Sequence, residues 1–206
     1  MGIDMSSIDA AFGFEPYGPI LRAQYYAVPT APTVNVMKND IVVHGGEGIV
    51  TAKRGVLPII EDGSVPDSDP FILGSVLSAF DENMEPVNYI AIGEVGDVTV
   101  AGYVLVADHP EQLFLAQEDG EGNAIDLDEI GQNCDLIAGT LCAGNTTTGI
   151  SKMELDSDSA GAAAALQFKL IRPHEDDTAA NDTNHYCRWI VQANEHFYHD
   201  VVGIGI

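Results

Sequence analysis

The apolar residues of this 206-residue chain come in short runs, roughly ten of them, each closed by glycine, proline or an acidic turn. No run is long enough to form an extended amphipathic helix. Leu73, Val76, Leu77 and Phe80 do sit at helical spacing, yet Phe71-Ile72-Leu73 suits a strand entering a β core, and 71–80 reads as strand. Leu166, Phe168 and Leu170 alternate with Gln167 and Lys169. Likewise Cys187, Trp189, Val191 and Ala193 fall opposite Arg188, Ile190 and Gln192. Asp40–His44, a Gly45-Gly46 turn and Gly48–Ala52 read as a hairpin. Tyr103–Ala107, a turn at Asp108-His109-Pro110-Glu111 and Leu113–Gln117 read as another. The expected fold is mainly β, an antiparallel β-barrel or sandwich.

Residues 1–40 have a different texture. Phe12-Gly13-Phe14-Glu15-Pro16-Tyr17-Gly18-Pro19 interleaves aromatics with helix-breaking residues, and Pro29 and Pro32 end the strand-like stretch from Arg22 to Val28. Two readings fit: an extended arm docked on a neighbouring subunit, or a terminal strand packed on its own domain. The first divides the chain into an arm, 1–40, and a β-rich domain, 41–206. In that case Phe12, Phe14, Tyr17, Tyr25 and Tyr26 are its anchors, because buried aromatics dominate interface energetics.

Charge bounds the partners. Eight Lys+Arg stand against thirty-two Asp+Glu, a formal net charge of −24. Such a surface repels phosphate backbones and anionic headgroups, so nucleic acid and membrane surfaces are not expected partners. No run reaches the roughly 18 apolar residues of a membrane span. The three cysteines, Cys134, Cys142 and Cys187, form no Cys-x-x-Cys pair and read as buried or free thiols.

Catalytic and metal patterns fail on inspection. The acidic loop from Asp119 places Ala124 where an EF-hand needs glycine and Ile130 where it needs glutamate. A looser calcium site from Asp126, Asp128 and Glu129 competes with a solvated acidic loop. His196 and His199, and His185 beside Cys187, lack further ligands at zinc spacing. Gly144-Asn145-Thr146-Thr147-Thr148-Gly149 has the glycine spacing of a phosphate loop but Ile150 in place of its lysine. That loop reads as a tight turn, or as a protruding contact at an assembly interface through Thr146, Thr147 and Thr148. No catalytic residue, metal or cofactor is expected.

Several patches together resemble a family. Phe12-Gly13-Phe14-Glu15-Pro16 followed by Arg22-Ala23-Gln24-Tyr25-Tyr26 is similar to the opening of small structural proteins of tailed bacteriophages. The likeness continues through Tyr103-Val104, Asp108-His109-Pro110, Leu113-Phe114, Asp135-Leu136 and the threonine loop to Ser151 and Leu155-Asp156. It closes on Trp189-Ile190-Val191, Asn194-Glu195-His196 and Tyr198. Proteins of this kind are capsid decoration, or cement, proteins. The resemblance implies a non-enzymatic virion protein, commonly trimeric, on the outer capsid surface, bracing joints between major capsid subunits. It adds Pro16 and Arg22 to the candidate contact residues. Two other functions fit a β scaffold: a carbohydrate-binding β-sandwich module and a hydrolase.

Overall fold

The structure is a computed structural model. It describes residues 9–30, 32, 34–44, 50–52, 72–91, 93, 100–137, 144–163, 166–175, 177, 186–194 and 196–198. Thirteen strands lie among them: β1 (Glu15–Tyr17), β2 (Ala23–Pro29), β3 (Val36–Met37), β4 (Ile41–His44), β5 (Val50–Ala52), β6 (Ile72–Phe80), β7 (Pro86–Val87), β8 (Tyr89–Ile90), β9 (Val100–Ala107), β10 (Leu113–Gln117), β11 (Asn133–Cys134), β12 (Phe168–Pro173) and β13 (Arg188–Ala193). The protein is mainly β, and the strand pairs are antiparallel. One sheet runs β1-β10-β13-β12-β11. A second runs β2-β9-β6-β4-β5, with β7 also paired to β6, and β3 pairs β8 apart from both. The second sheet curls until its end strands β2 and β5 approach each other, but it does not close into a barrel.

The alternating runs bury their expected apolar residues, but burial is not confined to one face: Gln167 and Ile190, on the opposite faces by period, are buried as well. Phe168 and Leu170 of β12 are fully buried while Lys169 is exposed. Cys187, Trp189 and Val191 are fully buried and Ala193 nearly so. With Phe114, Ala116, Met153 and Leu155 they form the first core, which Ile41 and Ile72 of the other sheet complete. The second core lies inside the curl, built from Tyr26, Val28, Val42, Leu73, Val76, Val104 and Val106. The β4–β5 hairpin forms as expected, with Val42 opposite Ala52, and 71–80 yields the nine-residue strand β6.

Two expectations are corrected. Tyr103–Ala107 and Leu113–Gln117 are not a hairpin: β9 belongs to the second sheet and β10 to the first. The Asp108–Gln112 link carries the chain between sheets, with Asp108 buried and held by the Arg22 and Tyr26 side chains described below. Nor do the described residues of 1–40 form a separate arm. β1 pairs with β10 (Glu15 opposite Leu115) and β2 with β9 (Tyr25 opposite Leu105), so this segment supplies the first strand of each sheet. Phe14 is fully buried and stacks on Phe168 with ring centroids 4.6 Å apart. Of the two readings, a strand packed on its own domain is what these residues adopt. The Gly45-Gly46 turn, Cys142, His185 and His199 lie outside the described residues.

The Phe-Gly-Phe triplet shows why the segment locks in place. Gly13 has φ +76°, and a Cβ there would stand 2.5 Å from both the Asn39 carbonyl oxygen and Ser151 Cβ. The close approach lets the Phe14 amide donate to the Asn39 carbonyl at 2.9 Å and Asn39 Nδ2 donate to the Phe12 carbonyl at 2.9 Å. Ser75 Oγ donates to the Phe14 carbonyl at 2.6 Å. Gly13→Ala is therefore expected to destabilise the protein by about 2 kcal/mol or more, through backbone strain and backbone overlap. Urea unfolding checks this; a change within about 0.5 kcal/mol would mean that the triplet is not seated as described.

Candidate functional site

The two sheets are joined by two chain crossings that run side by side. Residues 18–22 lead from β1 to β2, and residues 108–112 lead from β9 to β10. Because β1 pairs β10 and β2 pairs β9, the crossings must be neighbours. Two buried side chains clamp them. Gln112 Oε1 accepts the Leu21 amide at 3.1 Å, and Gln112 Nε2 donates to the Tyr17 carbonyl at 3.3 Å. Asp108, fully buried, accepts Arg22 Nε at 2.8 Å on one carboxylate oxygen and the Tyr26 hydroxyl at 2.6 Å on the other. Arg22 Nη2 also donates to the Asp108 carbonyl at 2.7 Å. Tyr198 completes the group, its hydroxyl 2.9 Å from that of Tyr26 and its ring 4.3 Å from the Arg22 guanidinium carbon. Burial and the bonds to Asp108 and Tyr198 push the Tyr26 hydroxyl far above its usual range, so it stays a donor.

This clamp presents an apolar tip. Ile20 and Leu21 are 50% and 49% exposed, beside Gly18 and Pro19, which are also exposed. The sequence reading passed over both, although a Gly-Pro turn followed by two aliphatics was the available signal.

The structure separates the candidate contact residues. Phe14 and Tyr26 belong to the two cores and Arg22 to the clamp, so none of the three is free to anchor on a neighbour. Phe12, Pro16 and Tyr17 are half-buried. Arg172 Nη2 reaches both Glu175 Oε1, at 2.8 Å, and the Tyr17 hydroxyl, at 3.3 Å. Tyr25 is 54% exposed and meets Phe80 edge-on at 5.4 Å. Thr146, Thr147 and Thr148 are exposed on a tight turn in which Asn145 Oδ1 accepts the amides of Thr147 and Thr148 at 2.9 and 3.3 Å. A cleft of about 300 Å³ lies between Thr148-Gly149 on one side and Phe80, Pro86 and Val87 on the other, with Lys38 beside it. Tyr25 and the threonine turn thus flank Phe80, while Ile20 and Leu21 stand on the crossing.

The acidic residues settle differently. Asp126 Oδ1 accepts the Leu127 amide at 2.6 Å and Glu129 Oε2 accepts the Asp126 amide at 2.8 Å, a capping box on the 3-10 turn Leu127–Glu129. Those two carboxylates serve the backbone, and among the described residues no three His, Cys, Asp or Glu converge as a metal site requires. A second cleft, of about 240 Å³, is lined by Asp9, Asp119, Glu121, Glu154 and Lys152. Burial, then Asp9 and Asp119, push the Glu154 carboxyl up to about 8. Burial likewise raises Glu118 to about 7, against the pull of the Ile125 and Cys187 amides that donate to it at 2.7 and 3.1 Å. Asp156 is raised too, by burial and then by Asp119.

Comparison with family models, curated proteins and solved structures finds no match for this chain.

The carboxyls give a signed pH dependence. With folded pKa values above the unfolded range, the native state holds more protons than the unfolded state between about pH 4.5 and 8. Stability is then greatest at the acidic end of that window and falls as pH rises through 7 and 8. Glu154→Gln is expected to flatten the upper part of that fall, as read by thermal melts at pH 5, 6, 7, 8 and 9. A wild type whose melting temperature rises from pH 6 to 8 would contradict the assignment.

Proposed function

We propose that this chain is a capsid decoration protein, a non-enzymatic virion component that binds the outer face of a tailed-phage shell and braces joints between major capsid subunits, in trimers as the resemblance implies. The observation that carries the reading is the apolar tip, Ile20 and Leu21, held out on a crossing clamped by Gln112 and Asp108. A rigid apolar projection on a chain of net charge −24 suits a binding surface, since ordering costs are already met in the free protein. The family-like patches, far apart in sequence, also converge: Arg22, Tyr26, Asp108 and Tyr198 make one network. Convergence supports reading the pattern as a fold signature. It assigns those residues to the scaffold and leaves recognition to exposed neighbours, Ile20, Leu21 and the threonine turn. An acidic outer surface fits the exterior of a shell better than its DNA-lined interior. Binding only to the assembled shell stabilises it by mass action.

Cosedimentation with undecorated heads of the phage that encodes the chain tests this. Saturable binding at a fixed ratio to shell subunits is expected, with Ile20→Asp/Leu21→Asp weakening it by roughly tenfold or more. Absence of binding by the folded wild type would overturn the proposal.

A hydrolase is the second reading, and one observation favours it: Glu154, a carboxyl raised to about 8, shares a cleft with Asp9, Asp119 and Glu121. A proton-holding carboxyl beside further carboxylates is the arrangement of general acid catalysis. Hydrolysis of chromogenic glycosides or esters that Glu154→Gln abolishes would support it over decoration.

A further inference from the structure

The outer face of the second sheet is half covered. Tyr26, Val28, Ala79, Val104 and Val106 point into the curl as the second core. The residues between them face outward, because neighbours along a strand alternate sides and cross-strand partners share one. At one end this outer face is closed: Ser75 lies under the Phe14 carbonyl and Ile72 joins the first core. At the other end it is open, lined by Ser78, which is exposed and opposite Leu105, and by six further residues. Tyr25 is opposite Leu105, Ala27 opposite Tyr103, Tyr103 opposite Phe80, and Phe80 opposite Pro86. Tyr25 and Pro86 are exposed, and Ala27, Phe80, Tyr103 and Leu105 are partly so. The open stripe continues the face by which this sheet already packs on the first core.

None of the six is charged, in a chain where acids outnumber bases thirty-two to eight. Carboxylates return only at the adjoining turn, at Asp81, Glu82 and Glu85. That distribution bears on what covers the stripe. A cationic partner is drawn by carboxylates, and a stripe without them forgoes that attraction. A copy of the same chain carries the same −24, and two copies approach at least Coulombic cost where neither presents an acid. Three aromatics and a leucine supply the apolar contact that such an approach needs.

We infer that this stripe is a self-association surface, occupied by a second copy of the chain. The inference rests on the trimeric part of the decoration reading and names the surface through which the copies meet; its test is separate from shell binding, because association is measured on the purified protein alone. Like-charged copies joined through an uncharged stripe bind more tightly as salt screens the rest of the surface. A contact with a basic-rimmed partner does the reverse.

Sedimentation equilibrium of the full chain, from roughly 0.05 to 0.5 M NaCl, reads both the mass and the sign of the salt effect. The wild type is expected to form a closed oligomer that tightens with salt. Tyr25→Glu and Ser78→Glu, both at exposed positions on this face, are expected to weaken association by roughly tenfold or more while circular dichroism and melting temperature stay near wild type. Leu127→Glu, exposed on the 3-10 turn that packs against β12 of the first sheet, serves as the control of equal charge. A monomeric wild type across the salt range overturns the inference. So does an oligomer that the Tyr25 and Ser78 variants leave as tight as the Leu127 variant does, or one that loosens with added salt.

Discussion

The structure depends on one buried carboxylate. Asp108 is fully inaccessible, and its two oxygens hold Arg22 and Tyr26 at 2.8 and 2.6 Å. A carboxylate in that position is tolerable only when paired and hydrogen-bonded, and here a guanidinium and a hydroxyl meet it. The Asp108 amide itself donates to the Arg22 carbonyl at 3.3 Å, so the bond is returned by the main chain. The consequence is topological. Two crossings that would otherwise be independent loops become one bracket, and each delivers a strand to each sheet. The placing of Ile20 and Leu21 at the surface follows from that bracket, as does the side-by-side run of the two crossings.

The division between scaffold and surface follows the same line. Residues with the strongest family-like pattern, from Phe12-Gly13-Phe14 to Asp108 and Trp189, are mostly those the fold uses. Among the described residues, the outside is apolar at the tip and on the stripe and polar at the threonine turn. The raised carboxyls at Glu118 and Glu154 are a cost of packing acids against the scaffold. They make it firmest in mild acid.

Much of the fold was legible in the sequence because period-two alternation is a local property. Phe168 with Leu170, and Cys187 to Ala193, announced one buried face each without any knowledge of partners, whereas the burial of Gln167 and Ile190 on the opposite faces did not show in the pattern. Partnership is not local, and there the reading went astray. Tyr103–Ala107 and Leu113–Gln117 look like a hairpin since nothing in the five residues between them tells a turn from a crossing; Arg22, far away in sequence, decides it. The N-terminal segment was ambiguous for the same reason, as Phe12-Gly13-Phe14 serves equally as an arm's anchor or a core's plug until Asn39 and Ser151 are brought against Gly13. The proposed contact surface was the least legible part. Tyr25 and the threonines stand out in the sequence and are exposed, whereas Ile20 and Leu21 do not stand out, because exposure of an aliphatic pair is set by the clamp beneath it.

Removal of the Asp108 carboxylate tests the central claim most directly. If the bracket holds the two sheets together, Asp108→Ala loses about 2–4 kcal/mol in equilibrium urea unfolding, the higher part of the range being held down because Arg22 still reaches water. A loss below about 0.5 kcal/mol, the scale of an ordinary surface change, would contradict it.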